Sequence, residues 1–345
     1  MIFDNLPFKS KAMQFGAGGI LGIFLIIMLS LSLKAQWTIQ KISAFAGKET
    51  EYKLYNTFSL QNESSERLDI PTPQTSRQNF LIVGMRGFGV GDGDLLTDTM
   101  LLVSIKKDSN QVAFISIPRD LFIQIPYKKD KVKINELYTL GYEKGGETLA
   151  FSALKNVISQ LSGVYIDGMV RVDFAGFQKL IDNIGGVDVY LDKPFQELAQ
   201  WKGEGGFYLP QGQNHLDGQT ALYFVRSRFS TSDFDRARRQ QLLILAIKEK
   251  LTGLGVLSNP IKLYNILDII GNHVKTDIPL GLTDILSLVR EVKNKKIRHL
   301  VLSNENYLFS STSSTGSYIL LPKEGDYANI RDAIKNIFKN QKVNP

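Results

Sequence analysis

The chain of 345 residues contains no cysteine. That one absence excludes a disulfide framework, a thiol nucleophile, a cysteine-ligated zinc and an iron–sulfur cluster. Histidine is almost as scarce. His215, His273 and His299 are the only three, spaced too far apart for a His-x-x-x-His pair on one helix, so a histidine-rich metal site is not expected. The glycine-rich stretch from Gly84 to Gly93 does not give the Gly-x-Gly-x-x-Gly spacing of a dinucleotide loop. No Gly-Lys-Ser/Thr phosphate loop and no Gly-x-Ser-x-Gly nucleophile elbow is present. There is no long internal repeat and no low-complexity tract.

What remains is globular and basic. Hydrophobic residues make up 43% and charged residues 22%, which rules out a disordered chain. The formal net charge of +7 suits anionic partners: lipid phosphates, anionic polymers or nucleic acid. Ala12 to Leu33 carries no charge over 22 residues, and at ~1.5 Å per residue such a helix spans a hydrocarbon core. It is too long for a signal-peptide core and no clean Ala-x-Ala site follows it, so an uncleaved anchor is expected. Lys9, Lys11 and Lys34 flank it and do not settle its orientation. Gly18 and Gly22 fit a helix-dimer face but fix no oligomeric state. The expected organisation is a short tail (1–11), an anchor (12–33), a juxtamembrane segment and linker (34–78), and one domain over 79–340. Polar residues from Glu49 to Gln78, with Pro71 and Pro73, mark the linker.

In the body, Phe80–Val83, Met100–Ile105 and Val112–Ile117 are apolar runs rich in β-branched residues and read as buried strands. Further strands are expected at Met169–Val172, Val187–Leu191, Arg298–Leu302 and Tyr318–Leu321. Helical spacing appears over Thr148–Leu161, Phe174–Ile184 closed by Gly185-Gly186, Leu216–Phe224, Phe234–Leu251, near Ile261–Ile270 and Leu280–Val292, and near Tyr327–Phe338. Trp201–Gly212 reads as a loop. Alternating strands and helices predict an α/β domain.

Arginine and aspartate gather at the predicted ends of these elements. Pro118 stops a strand and brings Arg119 out at its carboxyl edge, where open α/β sheets place ligands; the plainer reading is an Arg119–Asp120 surface pair. Arg226 and Arg228, if extended, share a side. Arg236 and Gln240 are four apart on a helix, with Arg239 beside them. Converging guanidinium forks suit a diphosphate, while a solvated basic helix face paired with Asp233 and Asp235 is the alternative. Lys133 offers a point charge to phosphate or simply starts a helix. Asp98, entering a strand, is a turn residue or a magnesium-side carboxylate, with Asp92 and Asp94 in the nearby glycine-rich loop.

In order, the chain reads Asn79 to Gly84 (Asn-Phe-Leu-Ile-Val-Gly), Thr97-Asp-Thr-Met, Ser116-Ile-Pro-Arg-Asp and Lys133-Ile-Asn-Glu-Leu-Tyr. There follow Gly185-Gly-Val-Asp-Val, Leu216-Asp-Gly-Gln-Thr-Ala-Leu-Tyr-Phe-Val-Arg-Ser-Arg and Asp233-Phe-Asp-Arg-Ala-Arg-Arg-Gln-Gln. This series resembles the LytR-CpsA-Psr (LCP) family of bacterial cell-wall ligases, strongly over 79 to about 250. The resemblance implies an α/β/α sandwich around a mixed central sheet. It also implies an enzyme that transfers a glycopolymer from a polyprenyl diphosphate carrier to peptidoglycan with Mg²⁺. The same resemblance implies that the tail is cytoplasmic and the domain lies outside the cell membrane. It assigns Asp98 to the metal and Arg119, Arg226, Arg228, Arg236 and Gln240 to the diphosphate; Asp98, Arg119 and Arg236 are the expected catalytic set. The chain departs from the family in two places. Where an acid is common after the first strand, the sequence is Gly84-Met85-Arg86-Gly87, with Asp92 or Asp94 left to compensate. Where a second basic residue is common after Pro-Arg-Asp, Leu121, Phe122 and Ile123 stand. A diphosphate hydrolase and a non-catalytic binder of lipid-linked or anionic wall polymers are the rival readings. A nucleic-acid role is not expected, given the anchor and the lack of a DNA-binding motif.

Overall fold

The computed structural model describes residues 26–43, 70–89, 94–125, 130–200, 206–253, 259–278 and 296–339. The expected anchor over 12–25, most of the linker (44–69), Asp92 and the helix expected near Leu280–Val292 lie outside the described residues. Among the described residues no helix is long and apolar enough to cross a membrane.

Three consecutive antiparallel strands open the domain: β1 (Arg77–Met85), β2 (Thr99–Lys106) and β3 (Gln111–Ser116). A short hairpin of β4 (Phe122–Gln124) and β5 (Lys131–Lys133) leads into helix α1 (Leu137–Ser162). Then follow β6 (Gly168–Asp173), α2 (Phe174–Asn183), β7 (Val187–Leu191), β8 (Phe195–Glu197), β9 (Phe207–Leu209) and β10 (Gly212–Leu216). Helices α3 (Gly218–Arg226), α4 (Asp233–Thr252) and α5 (Pro260–His273) precede β11 (Val274–Thr276), β12 (Lys296–Val301), β13 (Leu308–Thr312), β14 (Tyr318–Pro322) and α6 (Ala328–Lys335). The central sheet is mixed, in the order β11-β6-β1-β2-β3-β12, with β6 parallel to β1 and β12 parallel to β3.

Both faces of this sheet are covered, which is why β2 and β3 read as unbroken apolar runs rather than alternating ones. Leu81, Val83, Met100, Leu102 and Ile115 pack under Leu154, Ile158 and Leu161 of α1 and Ile330 and Ile334 of α6. On the other face, Leu101, Val103, Ile105, Val112 and Phe114 meet Ile244 and Leu245 of α4. A second core joins α2, α3 and α4 to the β7–β10 pair through Ile181, Val187, Leu216, Phe224 and Leu243.

Local chemistry sets the boundaries. Helix α1 starts eleven residues before the periodic stretch suggested, because Gly145 and Gly146 break its helical geometry and hide the first half. Gly185 and Gly186, both at positive φ, end α2 as expected. The segment read as a loop contains β9, paired with β8, and Leu216 ends β10 rather than opening a helix. Asp217 instead caps α3, accepting from the Thr220 amide at 2.8 Å. Two ion pairs, one buried and one partly buried, pin the layers. Lys155 of α1 meets Asp277 at 2.6 Å, and Arg171 of β6 meets Glu147 at 2.9 Å.

Residues 26–42 are helical, and the stretch after Lys34 is docked on α5. Ala35, Thr38 and Ile42 are buried. Thr38 Oγ1 donates to the Leu267 carbonyl at 3.0 Å, and Lys34 Nζ pairs with Asp268 at 2.5 Å. Ser43 then bridges to Thr276 of β11, so this helix ends against the edge of the central sheet.

Candidate active site

Asp98 precedes β2, and Arg119 follows β3 on the adjoining strand end. Because β2 and β3 are antiparallel neighbours, the two meet: Arg119 Nη1 donates to Asp98 Oδ1 at 2.6 Å. Arg119 Nε lies 3.4 Å from Asp120 Oδ2, and Lys133 Nζ lies 2.7 Å from Asp120 Oδ1. The result is a chain of alternating charge, Lys133–Asp120–Arg119–Asp98, running from the β4–β5 hairpin to the sheet edge. Asp120 is nearly buried, so both cations are held by it from below. The proposed Arg119–Asp120 pair therefore exists, but as part of this chain and not as a solvated surface pair.

Helix α4 forms the opposite wall. Arg236, Ala237 and Gln240 line a small open cleft together with Asp98, Thr99, Ser116 and Pro118. Ser232 and Asp235 form a reciprocal capping box that fixes the start of α4 and so the height of Arg236. Gln240 Nε2 donates to Thr99 Oγ1 at 2.8 Å, which ties α4 to the residue next to Asp98.

Arg226 is the last residue of α3, and Ser227 turns the chain out of the helix, so the expected extended Arg226-x-Arg228 geometry is corrected. The Arg226 guanidinium stacks on Phe174 at 4.7 Å. Burial, and then the charge of Arg86, pull its pKa below the ordinary arginine value, and Asp98 acts against them. Arg228 leans over the Phe229 ring at 5.5 Å. Arg239 has a different role from that expected. Its Nε donates to the Phe224 carbonyl at 2.8 Å, its Nη1 to Thr231 at 3.1 Å and its Nη2 to the Ser227 carbonyl. Burial draws its pKa down to about 10. These bonds hold the α3–α4 turn, and through it they place Arg226 and Arg236.

Two residues escaped the sequence reading. Glu197 of β8 is buried and accepts from the amides of Ser230 (2.8 Å), Ala199 (3.1 Å) and Gln200 (3.2 Å), which fastens the same turn from below. Arg86, directly after β1, acts through its charge on Arg226.

The donor set for magnesium is thin. Asp98 is engaged by Arg119. Asp94 Oδ2 accepts from the Gly89 amide at 2.8 Å and so closes its own loop. Among the described residues no group of three acidic or histidine side chains is placed to hold a metal ion. A hard dication prefers carboxylate oxygens and is disfavoured beside guanidinium charge, so these residues do not fit a resident magnesium ion.

The LytR_cpsA_psr family description matches residues 41–336. The chain is 35% identical over 207 residues to the polyisoprenyl-teichoic acid–peptidoglycan teichoic acid transferase TagU of Oceanobacillus iheyensis, a match covering 59% of each chain. It is 27% identical over 241 residues to the corresponding transferase TagV of Bacillus subtilis, covering 66% of this chain and 59% of that one. The matches thus span about three fifths of these relatives' own length. The crystal structure of B. subtilis TagV shares the fold, with a TM-score of 0.59 and 23% identity over 78% of this chain and 100% of that one. The mixed α/β fold with its central mixed sheet agrees with that of the family, and the chain belongs to the LytR_cpsA_psr family.

Proposed function

We propose that this protein is a membrane-anchored phosphotransferase that moves a glycopolymer from a polyprenyl diphosphate carrier to a hydroxyl of peptidoglycan. The observation that carries this reading is the meeting of Arg119, Arg226, Arg236 and Gln240 around Asp98 at one sheet edge. Guanidinium groups at a partly buried cleft bind diphosphate oxygens in charge-assisted, bidentate fashion. The family relatives are named for transfer of a polyisoprenyl-linked polymer to peptidoglycan, which agrees with that chemistry.

In the proposed reaction an acceptor hydroxyl attacks the sugar-side phosphorus. The new bond forms between the acceptor oxygen and that phosphorus. The bond to the bridging oxygen breaks, and polyprenyl phosphate leaves with the electron pair. Asp98 is placed to orient the hydroxyl and receive its proton, once the diphosphate has drawn Arg119 toward itself. The arginines bind the charge that builds on the transferring and leaving oxygens. Catalysis is thus positioning and charge stabilisation, as phosphoryl transfer generally is.

The apolar sequence over 12–33 supports a single-pass anchor with the body outside the cell membrane. Exposed Ile26, Met28, Leu29 and Leu33 on the described part of that helix suit contact with lipid. Incubating the purified protein with a lipid-diphosphate sugar and peptidoglycan fragments tests the reading. A sugar–phosphate–peptidoglycan adduct is expected. Release of prenyl phosphate without an adduct would indicate a hydrolase, and binding without turnover a non-catalytic binder.

A further inference from the structure

The antiparallel register of β1 and β2 sets Gly84 opposite Thr99. Continued past the strand ends, it brings Arg86 to the same sheet edge as Thr97 and Asp98. The Gly87 amide is bonded to the Asp94 carbonyl at 3.1 Å, which keeps the chain folded back along that edge. Arg86 is exposed, and it lies on the same face of β1 as Gly84, whose partner Thr99 borders the cleft. On the α3 side stands Arg226, within the electrostatic reach of both Arg86 and Asp98. Arg236 faces Asp98 across the cleft, and Arg119 is bonded to it. Among the described residues the cleft thus gathers four guanidinium groups around Asp98, while the charge of Asp120 behind Arg119 is balanced by Lys133.

That balance decides what the site needs. A diphosphate esterified at both ends carries two negative charges. Four guanidinium groups outweigh those two and the one on Asp98 together, so nothing is left for a dication to neutralise. A magnesium ion placed there would meet one carboxylate, already bonded to Arg119, and several like charges. Arg86 also stands where the resemblance leads one to expect an acid. Exchanging an aspartate for an arginine raises the local charge by two, as much as a magnesium ion brings.

We propose that Arg86 takes the electrostatic place of a divalent cation, so that the carrier's diphosphate is bound by guanidinium groups alone and transfer proceeds without a metal ion. This rests on the phosphotransferase reading of the same cleft.

The experiment uses the full chain in detergent with a short-chain prenyl diphosphate sugar and peptidoglycan fragments. Adduct formation is followed in magnesium and in excess EDTA, and binding of the same prenyl diphosphate sugar is followed by titration calorimetry in EDTA. Wild type is expected to react equally in both conditions. Arg86→Ala is expected to lose roughly ten- to hundredfold in rate and in EDTA affinity, as removal of a charge-assisted contact does. Arg86→Lys should recover part of that loss, because a point charge remains. Arg86→Asp should be inactive in EDTA and regain activity with magnesium. A wild-type reaction that stops in EDTA and returns with magnesium overturns the proposal while leaving the phosphotransferase reading intact. An Arg86→Ala variant that matches wild type in EDTA overturns it as well. If no adduct forms in any condition, the phosphotransferase reading fails. The calorimetry then decides for Arg86, and equal EDTA affinity of wild type and Arg86→Ala overturns the proposal.

Discussion

Arg119 Nη1 donates to Asp98 Oδ1 at 2.6 Å, and the same guanidinium leans on Asp120 from its other side. The arginine is therefore held in place before any substrate arrives, at little cost in side-chain entropy when it binds one. Arg119→Ala is expected to leave the fold intact and to weaken diphosphate binding by about 1.5–3 kcal/mol, the worth of a charge-assisted hydrogen bond. The loss in the transition state should be larger. Arg119→Lys should recover only part, since it lacks the fork that spans two oxygens. Single-turnover rates beside unchanged circular dichroism check this. Near-normal turnover by the alanine variant would reduce the pair to a structural contact.

Glu197 makes a pH-dependent prediction. Burial would raise its pKa, but hydrogen bonds from Ser230, Gln200 and their neighbours outweigh burial and hold it below the ordinary 4.5. A carboxylate depressed in this way stabilises the fold above its unfolded pKa, and that stability is lost as pH falls through the folded value. Glu197→Gln should lower Tm near neutrality, by about 2–4 °C per kcal/mol lost. The gap between wild type and variant should shrink once the pH drops below 4.5. A gap that is flat with pH would show that the amide replaces the carboxylate without loss.

The docking of the N-terminal helix on α5 is testable at one glycine. A Cβ on Gly271 would sit 2.8 Å from the Trp37 ring, closer than packing permits. Gly271→Leu should therefore push Trp37 off α5 and expose Thr38 and Ile42. In a Trp201→Phe background, Trp37 emission is expected to shift to the red while binding at the cleft is retained. Unshifted emission would mean that the helix is held by its Lys34–Asp268 and Lys41–Asn272 contacts instead.

The β1–β3 core and the Pro118–Arg119 strand exit were legible because continuous apolar runs and a proline mark them without reference to the rest of the chain. The β8–β9 hairpin was not. Its strands are three residues long and sit among glycines, so Glu197 looked like one more loop acid until pairing placed it under Ser230. The first half of α1 was hidden by Gly145-Gly146, which stop the apolar period that would have announced it. Arg86 showed in the sequence only as a basic residue where the resemblance leads one to expect an acid, with nothing to give it a role of its own. Only the register of β1 against β2 brings it to Asp98.

Helix geometry separates the neighbouring arginines of α4, which sequence spacing had grouped. Residues advance about 100° each around an α-helix, so Arg239 sits about 60° from Arg236 and about 100° from Gln240, and this offset, on the side of the α3–α4 turn, gives the two arginines different partners. Arg236 turns to the cleft, and Arg239 is spent on the Phe224 and Ser227 carbonyls with its face against the Phe195 ring at 4.3 Å. The two should fail differently. Arg236→Ala is expected to abolish transfer with Tm nearly unchanged. Arg239→Ala strands buried carbonyls, each worth about 1–3 kcal/mol, and so should lower Tm clearly. Its loss of activity should be recovered in part when the assay is cooled, because the α3–α4 turn then regains its order. Arg239→Lys should keep one of the bonds and fall between. Measuring Tm and prenyl diphosphate affinity on the same three preparations separates the roles. If Arg239→Ala keeps wild-type stability and loses affinity as steeply as Arg236→Ala, then Arg239 turns into the cleft when the diphosphate binds, and its place as a structural residue is lost.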